Sequence, residues 1–288
     1  MKNVKEIVMK YVFMVSAAAS ILAVFLICVF LFANGVPAMR EVGFLDFLFG
    51  TKWAPSNVPA SFSIFPMIVG SIYVTAGAII VGVPIGILTA VFMARFCPKG
   101  IYKFLKPAVD LLAGIPSIIY GFFGLVVIVP VVRMVFERFD TNGKSILTAS
   151  ILLGIMILPT IIGVSESAIR AVPNSYYEGA LALGATHERA VFFTVLPAAK
   201  SGILAGVVLG IGRAIGETMA VIMVAGNQPR MPVSIFKGVR TLTANIVIEM
   251  GYATGLHREV LIATGVVLFV FILIINLSFS ALKRRMKA

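Results

Sequence analysis

The chain has 288 residues, of which 60% are hydrophobic and only 12% charged, with a mean hydropathy of +1.05. Soluble domains carry about 25% charged residues, so this balance excludes a soluble globular protein and specifies an integral membrane protein. The net charge of +12 is spread between long apolar runs, which excludes a nucleic-acid-binding face and reads instead as a topology signal.

A spanning helix needs about 20 apolar residues. The charge-free runs predict six of them, at about 11–32, 65–94, 111–132, 146–165, 201–226 and 260–282, in a single transmembrane domain over 1–288. The first run exceeds the 7–15 apolar residues usual for a signal peptide, so a retained helix is expected. A loop at 34–64 carries FLDFLFGTKWAPS around Trp53, read as a short amphipathic element at the interface. Pro84 in the second span and Pro116 in the third predict breaks, which neighbouring helices or water can resatisfy. A second long loop, 166–200, follows the fourth span.

Six spans put both termini on one side. With cytoplasmic termini that side holds fourteen basic residues, including Lys99, Lys103, Arg170 and Lys287, and the opposite side nine, including Arg133, Arg230 and Lys237. Basic residues favour the cytoplasmic face, so cytoplasmic termini are expected, with 34–64 external and 166–200 cytoplasmic.

The fifth run contains Arg213 and Glu217. A charge at the bilayer centre costs about 2.5 to more than 10 kcal/mol, so such residues face a bundle interior or a water-filled path. On a continuous helix Gly202, Gly206, Gly210, Arg213 and Glu217 share one stripe about 80° wide. Small residues four apart let another backbone approach closely, so the charged pair is expected on the packing face. One reading is an ion pair at i,i+4 that only locks helices together. The other is a substrate path: a guanidinium fork binds two oxygens of an oxyanion, with Glu217 balancing or gating the charge.

Chemistry of other kinds finds no support. Cys28 and Cys97 offer neither a disulfide framework nor metal-ligand spacing. Gly143-Lys144-Ser145 resembles the end of a nucleotide-binding loop, but Arg138 stands where its first glycine should be. His187 and His257 are isolated in sequence and read as surface loop residues. No nucleophile–base set can be assembled, so a membrane-embedded enzyme is disfavoured.

The loop 166–200 contains NSYYEGALALGATHERAVFFTVLP. Glu178, Gly179 and Ala180, then Gly184, then Leu196-Pro197, resemble the EAA motif of ABC importer permeases. Gly179 replaces the first alanine of that pattern, and Val195 precedes the Leu-Pro. The residues fit on their own terms: Glu178–Leu183 is expected as a short helix, Gly184 as a turn, and Pro197 as the opening of the next span. LLAGIPSIIYGFFG, FLFGTKW and GRAIGETMAVIMVAGN resemble the PstC-type permeases of phosphate ABC importers over almost the whole chain. The resemblance implies an all-α, six-span, type I ABC importer permease fold in the inner membrane, working by alternating access. It matches Arg213 and Glu217 to positions linked to phosphate transport, and the EAA loop to docking on an ATPase. It implies a homologous PstA-like second permease, a PstB-like ATPase dimer and an external PstS-like phosphate-binding protein. No cofactor is expected on this chain, ATP and Mg being used by the ATPase. A permease for sulfate or molybdate, or a non-transporting membrane scaffold or sensor, stand as the alternatives.

Overall fold

The computed structural model describes residues 2–285; Lys287, counted above among the cytoplasmic charges, lies outside them. Among these residues six helical stretches are long and apolar enough to cross a membrane: Lys5–Val42, Phe65–Phe96, Ser117–Val135, Ile146–Arg170, His187–Gly216 and Gly255–Phe279. The first lies in helix α1 (Lys2–Val42), which runs ten residues beyond the expected end at 32 and takes Pro37 inside it. The loop that follows is therefore shorter than 34–64. It holds α2 (Phe44–Phe49) and a two-stranded antiparallel pair, β1 (Trp53–Ala54) and β2 (Ser61–Phe62). Phe44, Leu45 and Phe49 of α2 are exposed. Trp53 does not join them: the indole is buried and donates to Glu249, 196 residues away.

Helix α3 (Phe65–Val91) passes through Pro84 without a break and widens into a π turn at Phe92–Phe96. Helix α4 (Lys99–Gly114) takes up Leu111–Gly114, the first residues expected in the third span. The chain then breaks at Ile115 and Pro116, both extended. Proline pushes its predecessor out of the helical region and cannot donate, so the break falls where Pro116 dictates. The span itself is α5 (Ser117–Phe123), a π turn at Gly124–Ile128 and α6 (Val129–Val135).

Helix α7 (Ile146–Arg170) is the central rod, entered through a cap in which Ser145 Oγ accepts the Thr148 N–H. It extends beyond the expected 165, so the loop starts only at Ala171. That segment contains α8 (Asn174–Ala182) and leads to α9 (His187–Ala190). Helix α9 continues through a π turn at Val191–Val195 into α10 (Leu196–Gly216). Pro197 thus does not open the span. The rod starts ten residues earlier, and the preceding π turn accommodates a residue with no N–H. After α10 come α11 (Met219–Val224), α12 (Leu242–Met250) and α13 (Gly255–Arg285).

Glycines set the spacing of the bundle. In lipid, helix association depends on close contact rather than on expulsion of water. A Cβ on Gly82 would meet the Gly154 carbonyl oxygen at 2.8 Å, and one on Gly77 would meet Ser150 Oγ, fixing α3 against α7. Gly202, Gly206 and Gly210 do the same for α10, facing Ala168, Ser165 and Ile161 of α7. Gly35 on α1 faces Ala263 and Val266 on α13.

Each end of the bundle is clamped by one buried carboxylate. At the Arg170 end, Glu166 is 2% exposed. It accepts from Tyr102 Oη of α4 at 2.7 Å and pairs with Arg170 at 2.8 Å. Arg170 also donates to the Met93 carbonyl, tying α3, α4 and α7 together. The hydrogen bond to Glu166 holds the Tyr102 hydroxyl above its ordinary pKa. At the Trp53 end, Glu249 is 4% exposed and accepts from Trp53 Nε1, Arg240 and His257. His257, expected as an isolated surface residue, is packed between Trp53 and Phe62.

Two outcomes test this packing in the purified chain. Gly82→Val should lower the melting temperature, an overpacking cost of about 1–3 kcal/mol, whereas Gly212→Ala, inside α10 with nothing within 4 Å of its added methyl, should hold or raise it. Glu249→Leu leaves Arg240 and His257 facing each other without a carboxylate; thermal unfolding should show a loss of about 3 kcal/mol.

Candidate functional site

Arg213 is seated by helix register. Helix α10 runs antiparallel to α7, so Gly202, Gly206 and Gly210 meet successively earlier residues of α7. One turn further on, Arg213 Nη1 donates to Thr160 Oγ1 at 3.4 Å. Thr160 lies about 21 Å along α7 from Ile146 and about 15 Å from Arg170, at about 1.5 Å per residue. That places the guanidinium near the centre of a hydrocarbon layer about 30 Å thick. Arg213 is partly buried, and the contact to Thr160 is its one side-chain hydrogen bond among the described residues.

Glu217 does not share the glycine stripe. Helix α10 ends at Gly216, and Glu217 is extended, with φ −69° and ψ 132°. Side chains replace the helical bonds at this break. Glu217 Oε1 accepts the N–H groups of Thr218 at 3.2 Å and Ala220 at 3.4 Å. Thr218 Oγ1 donates to the Gly216 carbonyl, and Thr243 Oγ1 of α12 to the Glu217 carbonyl at 3.0 Å. Glu217 and Arg213 form no ion pair among the described residues, so the helix-locking pair expected at i,i+4 is absent. Its premise, a continuous helix from 201 to 226, fails at 217.

The chain still crosses. Helix α11 continues beside α7 toward its Ser145 end, where the Val224 carbonyl accepts the Ser145 N–H at 3.1 Å. Helix α5 runs beside α11: a Cβ on Gly121 would meet the Ala220 Cα at 2.9 Å, and one on Gly124 would meet Leu152 and Val224. Ser117 lies seven residues before Gly124, and Thr160 eight residues after Leu152, so α5 also begins near the depth of Arg213. Two helical breaks therefore lie near the depth of Arg213: Ile115-Pro116, just before the third apolar stretch, and Glu217-Thr218, just after the fifth. Irregular backbone at that depth is tolerated where it is buried in protein or lines a water-filled cavity. Neither interruption has its full weight in the sequence: Pro116 signals the first, but GRAIGETMAV reads as uninterrupted helix.

The 171–186 segment presents α8 at the opposite extreme of exposure. Glu178 and Gly179 are exposed and Ala180 partly so, while Leu183 is 92% exposed. Gly184 has φ +87°, the left-handed turn expected of it, and the added Cβ of another residue would meet nothing but strain. Tyr177 Oη and His187 Nδ1 are 2.7 Å apart, fixing α8 on the start of the α9–α10 rod. His187 is therefore a packed residue and not a free loop side chain. Leu196 is partly buried and Pro197 exposed, both within the rod rather than on α8.

Residues 82–288 match the family described as binding-protein-dependent transport system inner membrane component. The chain is 38% identical to the probable ABC transporter permease protein YqgH of Bacillus subtilis, over 87% of this chain and 83% of that protein. It is 36% identical to the phosphate transport system permease protein PstC of Mesorhizobium japonicum, over 90% of this chain and 84% of that one. A probable PstC of Methanocaldococcus jannaschii is 32% identical over 88% and 85%. Among solved structures, the bacterial alginate ABC transporter in complex with its alginate-bound periplasmic protein aligns over 94% of both chains, with a TM-score of 0.64 at 18% identity. The MetNI methionine ABC transporter aligns over 77% of this chain and 94% of its own, with a TM-score of 0.56 at 20% identity. At those identities the two structures speak for the fold alone, the type I importer permease. The chain belongs to the binding-protein-dependent transport system inner membrane component family, and is the multi-pass, non-catalytic permease subunit of an ABC importer.

Proposed function

We propose that this permease moves inorganic phosphate into the cytoplasm. The observation that carries the reading is Arg213: a guanidinium near mid-depth, partly open, and among the described residues held by one long hydrogen bond and paired with no carboxylate. Relatives named as phosphate permeases supply the substrate. Phosphate carries roughly one to two negative charges at neutral pH, and a single fixed cation lowers its barrier without trapping it. Glu217 sits at the adjacent break with its carboxylate engaged by backbone N–H groups, so it shapes the field and holds the backbone turn rather than neutralising Arg213.

The exposed α8 supports a docking role for Glu178, Gly179, Ala180 and Gly184 against an ATPase dimer, with Leu196 and Pro197 in the rod that would carry its movement inward. That assignment makes the Arg170 end cytoplasmic and the Trp53 end external, in agreement with the basic-residue count. Phosphate would arrive from an external binding protein. A second, homologous permease would complete the path on the side where Gly212 and Gly216 face open space.

Labelled phosphate uptake by vesicles holding the complex and its binding protein is the direct test. ATP-dependent uptake should resist excess sulfate and molybdate; suppression by either would assign the chain to another oxyanion. Arg213→Gln should reduce uptake at least a hundredfold with the complex still assembled, since a desolvated charge contact is worth about 3 kcal/mol or more. Undiminished uptake would remove Arg213 from the path. Glu178→Lys should weaken co-purification of the ATPase while leaving the chain inserted; normal co-purification and coupled uptake would count against the docking role.

A further inference from the structure

The end of the bundle assigned to the outside carries a polar cleft. Its cavity of about 490 Å³ is lined by Arg133, Arg230 and Lys237, together with Thr141, Asn142 and Gln228. A second cavity of about 580 Å³ opens beside it and shares Arg133, Thr141 and Asn142. Two acids border these spaces. Asp140 is taken by Lys237, whose Nζ lies 2.6 Å from Oδ2, and this contact holds the Asp140 carboxyl below its ordinary pKa. Glu137 borders the second cavity only. Arg133 and Arg230 have no carboxylate within salt-bridge distance among the described residues. The cleft therefore presents two uncommitted guanidinium groups, each able to bind two oxygens of one anion.

Its place in the fold gives those charges a use. Arg133 stands on α6 and Gln228 four residues beyond α11. Followed inward, α6 runs through the π turn into α5, which begins after Ile115-Pro116, and α11 begins after Glu217-Thr218, both near the depth of Arg213. The cleft crowns their outer ends. A cavity of this size also holds an inorganic oxyanion with several waters, each needing about 30 Å³. That suits loose, partly hydrated capture rather than a tight cage.

We propose that the cleft formed by Arg133, Arg230 and the Lys237–Asp140 pair is a low-affinity oxyanion site that takes up inorganic phosphate at the outer mouth before it reaches Arg213. The proposal rests on the phosphate-import reading and adds a second anion site to it. Two cations at the mouth raise the local anion concentration, and the single cation at mid-depth then receives an ion already stripped of part of its random approach.

Equilibrium binding of labelled inorganic phosphate to the assembled complex in nanodiscs, carrying Arg213→Gln and lacking the external binding protein, isolates the cleft. Saturable binding is expected there. Adding Arg133→Gln and Arg230→Gln together should weaken it about tenfold or more, as loss of charge-assisted contacts requires. Arg133→Lys with Arg230→Lys should keep most of it, and rising salt should weaken it in the unsubstituted cleft. No saturable binding in the Arg213→Gln complex, or binding indifferent to the double glutamine substitution, overturns the proposal. If the double substitution spares phosphate binding and instead abolishes co-sedimentation of the external binding protein, the cleft is a docking patch for acidic side chains and the proposal fails. Failure of the import reading shows separately, as absence of ATP-dependent phosphate uptake by the unsubstituted complex.

Discussion

The close approach of α10 to α7 is the contact on which the rest depends. Gly202, Gly206 and Gly210 bring the two backbones together at successive turns, and a Cβ at Gly202 or Gly210 would already overlap the opposing side chain. Because no hydrophobic force drives helices together inside a bilayer, close packing has to supply much of what holds the pair. The register that the glycines impose then places Arg213 opposite Thr160 and not opposite lipid. A residue whose misplacement would cost several kcal/mol is positioned by three residues with no side chain at all.

Once α10 is fixed, the break after Gly216 acquires its meaning. A continuous helix would carry Glu217 round to the same stripe and close it on Arg213, consuming both charges. The break instead turns the carboxylate toward the N–H groups of Thr218 and Ala220 and leaves the guanidinium its remaining donors. Thr218 and Thr243 supply the hydrogen bonds that make irregular backbone tolerable at that depth. The break at Ile115-Pro116 lies at a similar depth just before the stretch alongside, so the two helical breaks are near one another.

What could be read from the residues follows from what each signal costs to violate. Charges are costly in hydrocarbon, so the charge-free runs overlap the six long apolar helices, with the fifth displaced from 201–226 to His187–Gly216, and a small-residue stripe identified the packing face of α10. Gly184 and the short helix before it were legible because left-handed backbone and exposed loop helices have local signatures. The break at Glu217 had no decisive signal, because Gly-Glu-Thr is compatible with helix and one of the bonds that satisfy the opened backbone comes from Thr243, 26 residues away. Pro197 misled for the opposite reason: a strong local signal was overridden by a π turn that only the packed rod reveals. Trp53, His257 and Glu249 meet across about 200 residues of chain, and no pattern within any one segment predicts that meeting.

The three buried or embedded charges that matter most differ in how fully they are satisfied. Glu166 is held by Tyr102 and Arg170, and Glu249 by Trp53, Arg240 and His257. A buried carboxylate so supplied with donors is fixed in place and unavailable to anything else. These two sit at opposite ends of the bundle and act as clamps. Arg213, between them, has five N–H donors and one hydrogen bond at 3.4 Å. Among these three charges the two carboxylates are fully supplied with donors and the central guanidinium is not, so Arg213 alone of them keeps hydrogen-bonding capacity inside the bundle.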